Sequence, residues 1–316
     1  MRAQPGSEQL LAWPEDGALE IAARYVAQVR SAPSSAGRVR AAACGRGPRA
    51  LAQVFRSVPV VPAPFSRTPA GDELRNWFGP TRFLPLDRLP GAVLPMPTSY
   101  AEYLRGRWKQ ALRTNLTRAA EAELASHAAP SAQEVWRSAQ LIAADRGQRV
   151  EDIVLRRPRP GLVRRFTIAY DVAGDPAGLS ETIVDGRWAD QAVLLSSPSH
   201  AAAELVRYAL HAHTVAGLID DGVSTLVVGG SMLLTSPGTR YFQRRTGFVP
   251  AWLRPTPRVT AGTRHRRPRA AQALTLDDLV RAVPAAATPC SDVASPVPAP
   301  GPSALVAVRA RGSSDT

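Results

Sequence analysis

The sequence predicts an α/β fold built on a mixed, mostly antiparallel sheet flanked by helices. Three observations predict it. Phe166 to Tyr170, Ser180 to Val184 and Gln191 to Ser196 alternate apolar and polar residues, and Gly/Asp/Pro-rich turns at 174–178 and 185–186 join them. Alternation with turn chemistry between the runs is the pattern of an antiparallel meander. A helix then runs from Ser197 or Ser199 to about Asp220, closed by Asp221-Gly222, and Ser224 to Val228 (STLVV) reads as a buried strand that Gly229-Gly230 ends. Last, Thr239 to Thr246 forms a short helix stopped at Gly247, and Phe248 to Leu253 closes the sheet.

Upstream, each element follows from local chemistry. Residues 1–15 are polar, and Ala18 to Val29 carries apolar residues at helical spacing. Arg38–Cys44 and Ala50–Phe55 flank Gly45-Arg46-Gly47-Pro48, which reads as a hairpin. From Val58 to Pro97 prolines recur, predicting extended segments with little helix. Ser99-Tyr100-Ala101-Glu102 is a capping box and opens a helix to Leu124, with Tyr100, Leu104, Trp108, Leu112 and Leu116 along one face. A second capping box, Ser131 to Glu134, opens a helix ending near Gly147. The organisation expected is a reduced first lobe over 1–95, a main domain over 96–254 and a disordered Pro/Ala/Arg-rich tail over 255–316. The tail holds a short helix at Leu274–Val283 and the basic cluster 264–269.

The chain has 316 residues, a net charge of +13 and a pI near 11.0. Only one of its 39 basic residues is lysine, Lys109. That arginine bias, with abundant Ala, Pro and Gly, is the coding signature of a GC-rich genome, and it raises pI without selection for a polyanion. Cys44 and Cys290 are isolated thiols that offer neither a disulfide framework nor a metal site. No apolar run reaches the length of a membrane span, so the protein is read as cytoplasmic.

The junction Ser196-Ser197-Pro198-Ser199-His200-Ala201 is the most informative chemical element. A helix N-terminus after a central strand presents backbone N–H groups and a positive dipole end to an anion, although Ser and Pro also belong there as plain caps. His211 and His213 are two apart on a helix and cannot share a metal, and no metal site is expected. His200, at the helix mouth, could act as a general base; Glu181 and Asp190, on the central strands, could deprotonate an amine. The 99–124 helix, with five cations and Trp108, could grip phosphates or simply present an Arg-rich polar face.

Strand QAVLLSS, helix Ser199–Asp220, strand STLVV and the ending Tyr241-Phe242-Gln243-Arg244-Arg245-Thr246-Gly247-Phe248 together resemble the GNAT acyltransferase superfamily. Tyr100-Ala101-Glu102-Tyr103-Leu104 through Arg113 to Ala119, with Phe242-Gln243 before Gly247-Phe248, is similar to its Fem-type branch. The resemblance implies an N-acyltransferase. It would take acetyl or longer acyl groups from coenzyme A, as a substrate and not a prosthetic group, or aminoacyl groups from tRNA. The acceptor would be an amine on a small molecule or peptide. Leu195, Ser196, Ser197, Ser199, His200 and Ala201 would line the donor site, with the acyl carbonyl against backbone N–H near Leu195–Ser197. Asp190 or His200 would take the amine proton. The glycine-rich pyrophosphate loop of the superfamily is replaced here by Ser-Pro-Ser-His-Ala-Ala-Ala. Its acid tyrosine falls at Gln243, for which Tyr241 could substitute if the helix turns it inward. The alternative is a non-catalytic GNAT-like scaffold that binds nucleic acid or a protein partner.

Overall fold

The computed structural model describes residues 16–34, 36–37, 45–78, 90–155, 159–233, 235–256 and 273–281. In chain order the described elements are α1 (Asp16–Ser31), α2 (Gly47–Ser57), β1 (Val60–Ala63), α3 (Pro69–Phe78), β2 (Gly91–Pro95) and α4 (Tyr100–Tyr103). A 3-10 turn, Arg107–Lys109, leads into α5 (Gln110–Glu121), β3 (Ala125–Ala128), α6 (Ala132–Arg146) and α7 (Val150–Val154). Then come β4 (Arg164–Tyr170), β5 (Pro176–Asp185), β6 (Trp188–Ser196), α8 (Ala203–Asp220), β7 (Thr225–Ser231), α9 (Pro237–Thr246), β8 (Val249–Pro255), β9 (Ala273–Leu274) and α10 (Leu276–Arg281).

The nine described strands join one sheet in the order β1-β8-β2-β7-β6-β5-β4-β3, with β9 paired to β4. Among the described pairs only β1·β8 and β6·β7 are parallel; the others are antiparallel. The meander β4-β5-β6 and the strand–helix–strand–helix–strand run after it form the mixed, mostly antiparallel sheet that the sequence predicts.

One face of the sheet carries α5, α8 and α9 over a core of Leu94, Leu112, Tyr208, Leu226, Phe242 and Phe248. On the other face α6 and α10 pack on Phe166, Ile168 and Leu179, and α3 lies on Phe65, Ile183, Trp188 and Val227. Helices α1 and α2 close on each other through Leu19, Val26, Leu51 and Val54 and cover Leu233 and Trp252. Glu20 of α1 holds Arg240 of α9 through two hydrogen bonds, at 2.9 and 2.7 Å.

Several expectations are corrected. The 45–55 segment is helix α2 and not half of a hairpin: Pro48 sits in the first turn, where its missing N–H costs nothing, and Ala50, Leu51 and Val54 share the buried face. Its other half, 38–44, lies outside the described residues, as does the tail apart from 273–281. Within the proline-rich stretch, Pro69 starts α3 in the same way. The 99–124 helix is broken at Gly106, whose φ of 95° only glycine adopts readily. Gly229-Gly230 does not end the strand; β7 continues to Ser231 through an irregularity against β2. Residues 1–95, expected as a first lobe, give β1 and β2 to the common sheet, with β2 between β8 and β7.

Candidate functional site

The parallel pair β6·β7 lies near the centre of the sheet and is short. Trp188–Gln191 pair with Thr225–Val228, and the ladder then stops while β6 runs on to Ser196. On its other side β6 carries a bulge, because Glu181 faces Val193 while Thr182 faces Gln191, leaving Ala192 as the extra residue. A bulge bends the strand and raises its twist. The parallel ladder therefore ends at Gln191, and β6 continues beyond it without a described pairing to β7.

A buried polar line starts at Gln191, the last paired residue of that ladder. The Gln191 amide donates to Ser180 Oγ at 3.1 Å, and Gln191 Oε1 lies 3.1 Å from His211 Nδ1 on α8. His211 Nε2 is 3.0 Å from the Tyr103 hydroxyl, which also lies within 2.9 Å of the Thr246 carbonyl at the end of α9. Lys109 donates to that same carbonyl, and its ammonium stands 4.0 Å from the centre of the Tyr103 ring. The single Tyr103 hydroxyl proton goes to the Thr246 carbonyl, so the Tyr103 oxygen meets His211 Nε2 as an acceptor. Burial lowers the His211 pKa to about 3, helped by the Lys109 charge, so the imidazole is neutral. Burial likewise lowers Lys109 to about 7 and pushes the Tyr103 phenol well above its ordinary value. Phe242, Phe248 and Tyr103 surround the imidazole at centroid distances of 5.4–6.2 Å, which explains the desolvation.

The loop before α8 is tied down from within the chain. Asp145 of α6 accepts from Ser197 Oγ and, at 2.9 Å, from Ser199 N–H; the Ser197 hydrogen bond is the first cause of its lowered pKa. His200 Nδ1 accepts from Ala202 N–H at 3.1 Å, and its Nε2 faces Asp171 at 3.6 Å. Ser197 N–H goes to the Ala177 carbonyl at 2.9 Å, and the Ser196 carbonyl receives Arg146 at 3.1 Å. Ser197 and Ser199 thus give donors to Asp145 in the loop before α8, and His200 Nδ1 holds the Ala202 N–H, while α8 itself starts at Ala203 without a side-chain cap.

The three predicted catalytic residues are not brought together. Asp190 is fully buried two residues after Trp188, so it points to the α3 face of the sheet, while Gln191 points to α8. Glu181 is buried on that same α3/α6 face, paired at 3.5 Å with the fully buried Arg164. Tyr241 is 55% exposed on the outer side of α9, where its ring carries the Arg245 guanidinium at 5.0 Å; Phe242 and Gln243 turn inward instead. Leu195 and Ser196 lie on β6 beyond the end of that ladder, whereas Ser199 and Ala201 belong to the loop before α8. His213 is exposed and turns away from His211.

Sequence reasoning missed the Gln191–His211–Tyr103–Lys109 line. Two signals for it exist. His211 falls in the apolar stripe Tyr208, His211, Val215, Leu218, so a histidine there must be desolvated. Lys109 is the single lysine in an arginine-biased chain, and only lysine of the two can be neutral near physiological pH.

No family model matches the chain, and no curated protein sequence does. Solved structures with the GNAT fold are among its structural neighbours. FemX is 10% identical, covers 52% of this chain and 59% of its own, and has a TM-score of 0.38. The C-terminal domain assigned to a lysylphosphatidylglycerol synthetase from Agrobacterium fabrum is 14% identical, with 51% and 58% covered and a TM-score of 0.37. A tandem GNAT protein from the clavulanic acid biosynthesis pathway is 13% identical, with 69% and 68% covered and a TM-score of 0.32. The chain spans less than two thirds of the first two of these proteins, and likenesses this distant carry nothing about substrate.

Proposed function

We propose that the chain is a GNAT-type N-acyltransferase that moves an acyl group to an amine, from acyl-coenzyme A or from aminoacyl-tRNA. The observation that supports this reading is the early end of the β6·β7 ladder at Gln191, beside the bulge at Ala192. β6 beyond that point has no described pairing to β7, so N–H groups on that side can stabilise charge growing on an acyl oxygen. In this reading the donor carbonyl lies against β6 between Ala192 and Ser196. The amine nitrogen bonds to the acyl carbon, and the carbon–sulfur or ester carbon–oxygen bond breaks. The leaving thiolate or ribose oxygen takes up a proton, and the amine loses one. Lys109, lowered to about 7 and so partly neutral, is the group on this face suited to accept it. Holding both substrates against β6 supplies the rest of the acceleration by orientation. The test is transfer to a panel of amines from acetyl- and longer acyl-coenzyme A and from charged tRNA, followed by mass spectrometry. Absence of product from every donor, with no thermal stabilisation by any of them, overturns the reading.

The donors that Ser197 and Ser199 give to Asp145 favour a second reading, a non-catalytic scaffold of the same fold. Asp145→Ala removes the carboxylate and frees the Ser199 N–H. If acyl-coenzyme A binds the variant and not the parent, Asp145 is what closes the site to that donor. If both bind equally, Asp145 yields to the ligand and the enzyme reading is strengthened.

A further inference from the structure

A groove of about 450 Å³ runs between the 3-10 turn with the first turns of α5 and the end of α9. Arg107 and Trp108 form one side, Arg245 the other, and Gln110, Thr114 and Asn115 supply neutral polar groups. Trp108 is 75% exposed, whereas Trp136 and Trp188 are buried in the core. An indole left in water gives up a large hydrophobic gain, yet this one is held in place by structure. Gly106, at positive φ, lets the chain break before it, and Arg113 pins the turn by donating to the carbonyls of Leu104 at 2.6 Å and Gly106 at 3.0 Å. No carboxylate lines the groove, and neither Arg107 nor Arg245 has an acidic partner among the described residues. The Arg245 guanidinium is steadied on the Tyr241 ring, and its buried Nε has no acceptor among the described residues. Asn115 spends its amide N–H on the Ala111 carbonyl at 2.9 Å, which leaves its side-chain carbonyl for a donor.

Each feature selects against a simpler ligand. An inorganic anion has no use for the indole, and an apolar ligand gains nothing from two guanidinium groups without acidic partners. A ligand that joins a flat ring with hydrogen-bonding edges to a phosphate uses all of them. Stacking on an aromatic face supplies ring affinity, and arginine supplies phosphate affinity. The volume falls within the range of roughly 300–1,000 Å³ typical of small-ligand sites. We propose that this groove binds a nucleotide, with its base stacked on Trp108 and its phosphate held by Arg107 and Arg245. The nucleotide reaches it either on a small molecule or within a single-stranded RNA. The site is independent of any acyl transfer beside β6, so it stands or falls apart from that activity.

The test is titration of the full-length protein with adenosine 3′,5′-bisphosphate, with ATP and with a short single-stranded RNA, read by calorimetry and by tryptophan fluorescence. Trp108→Ala lowers affinity roughly tenfold, in line with about 1–3 kcal/mol per stacked base, and Trp108→Phe restores part of it. Arg107→Gln with Arg245→Gln weakens binding and lowers the salt slope by about one for each phosphate no longer held. Arg118→Gln, at an exposed position of α5 outside the groove, leaves binding unchanged. Binding of the mononucleotides assigns a small-molecule source, and binding of the RNA alone assigns a strand; either supports the site. No binding by any probe, or binding unaffected by Trp108→Ala and by the paired arginine changes, overturns it.

Discussion

Lys109 and His211 are the residues whose chemistry the fold alters most. Both lie on the buried line that starts at Gln191, and both are bases held below their ordinary pKa, from 10.5 to about 7 and from 6.5 to about 3. The unfolded chain therefore binds more protons than the native one between about pH 3 and 6.5 through His211, and between about pH 7 and 10.5 through Lys109. Stability rises with pH in both windows and is lost as pH falls through them. The slope from one group is at most about 1.4 kcal/mol per pH unit. Urea midpoints measured from pH 6 to pH 10 are expected to climb for the parent. Lys109→Met, which keeps the stem and removes the charge, is expected to flatten that climb, with its largest advantage over the parent at or below pH 7. A parallel shift of the two curves would show that Lys109 is not the titrating group. His211→Gln keeps a buried polar side chain without a proton-binding site, so it is expected to reduce the loss of stability between pH 6.5 and 4. Circular dichroism melts across that range check it. At this scale the sequence shows the actors and not their meeting. Tyr103, Lys109, Gln191 and His211 stand on α4, the 3-10 turn, β6 and α8, and only the packing of these elements joins them.

At the scale of elements, what was legible was what local chemistry decides. The serine half of both capping boxes forms: Ser99 Oγ accepts from Glu102 N–H at 3.1 Å and Ser131 Oγ from Glu134 N–H at 3.2 Å, while the Glu102 carboxylate turns to Thr98 and that of Glu134 to Tyr170. Gly147 and Gly247 end their helices in the left-handed region. The meander keeps its alternation and turns. What was missed is where one local signal competes with another. Gly-x-Gly-Pro between apolar runs fits a turn, but the same proline fits the first turn of α2, and the burial of Leu51 and Val54 decides for helix. The start of α8 at Ala203 is another case, because Ser197 and Ser199 give their donors to Asp145 and cap no helix themselves. Packing of α8 on the sheet depends on Gly178. A Cβ there would stand 2.4 Å from Val206 Cγ1 and 2.7 Å from the Leu195 carbonyl. Gly178→Ala is expected to push α8 off β5 and cost about 1–3 kcal/mol as overpacking, seen as a lower urea midpoint. It should also disturb β6 at Leu195, so ligand binding there falls with it. Unchanged stability would mean that α8 shifts freely and that β6 is not held by this contact.

At the scale of the whole molecule, residues 1–95 share one sheet with the rest through β1 and β2, and the sequence does not show this for a physical reason. Strand pairing is a contact between distant segments, and nothing in Gly91–Pro95 names its partners. Periodicity shows that Ala92, Val93 and Leu94 are apolar. Only the sheet shows that all three are buried because β2 has a strand on each side and helices on both faces. A two-lobe chain would unfold in two steps, whereas a chain whose N-terminal part supplies an internal strand should unfold in one. Leu94 belongs to the same core as Tyr208, Phe242 and Phe248. Leu94→Ala is therefore expected to cost about 2–5 kcal/mol, the range for a fully buried leucine. It should shift far-ultraviolet dichroism, tryptophan fluorescence and the calorimetric peak by the same amount, because coincident probes are the mark of a single cooperative transition. A variant that lost only the signal of Trp77 and α1–α3, with the Tyr208–Phe248 core melting where it does in the parent, would support the two-lobe description. The same insertion bears on the end of the β6·β7 ladder. With β2 paired to one side of β7 along its length, β7 is fixed on the side away from β6. The parting of β6 from β7 after Gln191 and Val228 then coincides with an irregularity in each strand, at Ala192 in β6 and at Gly229-Gly230 in β7.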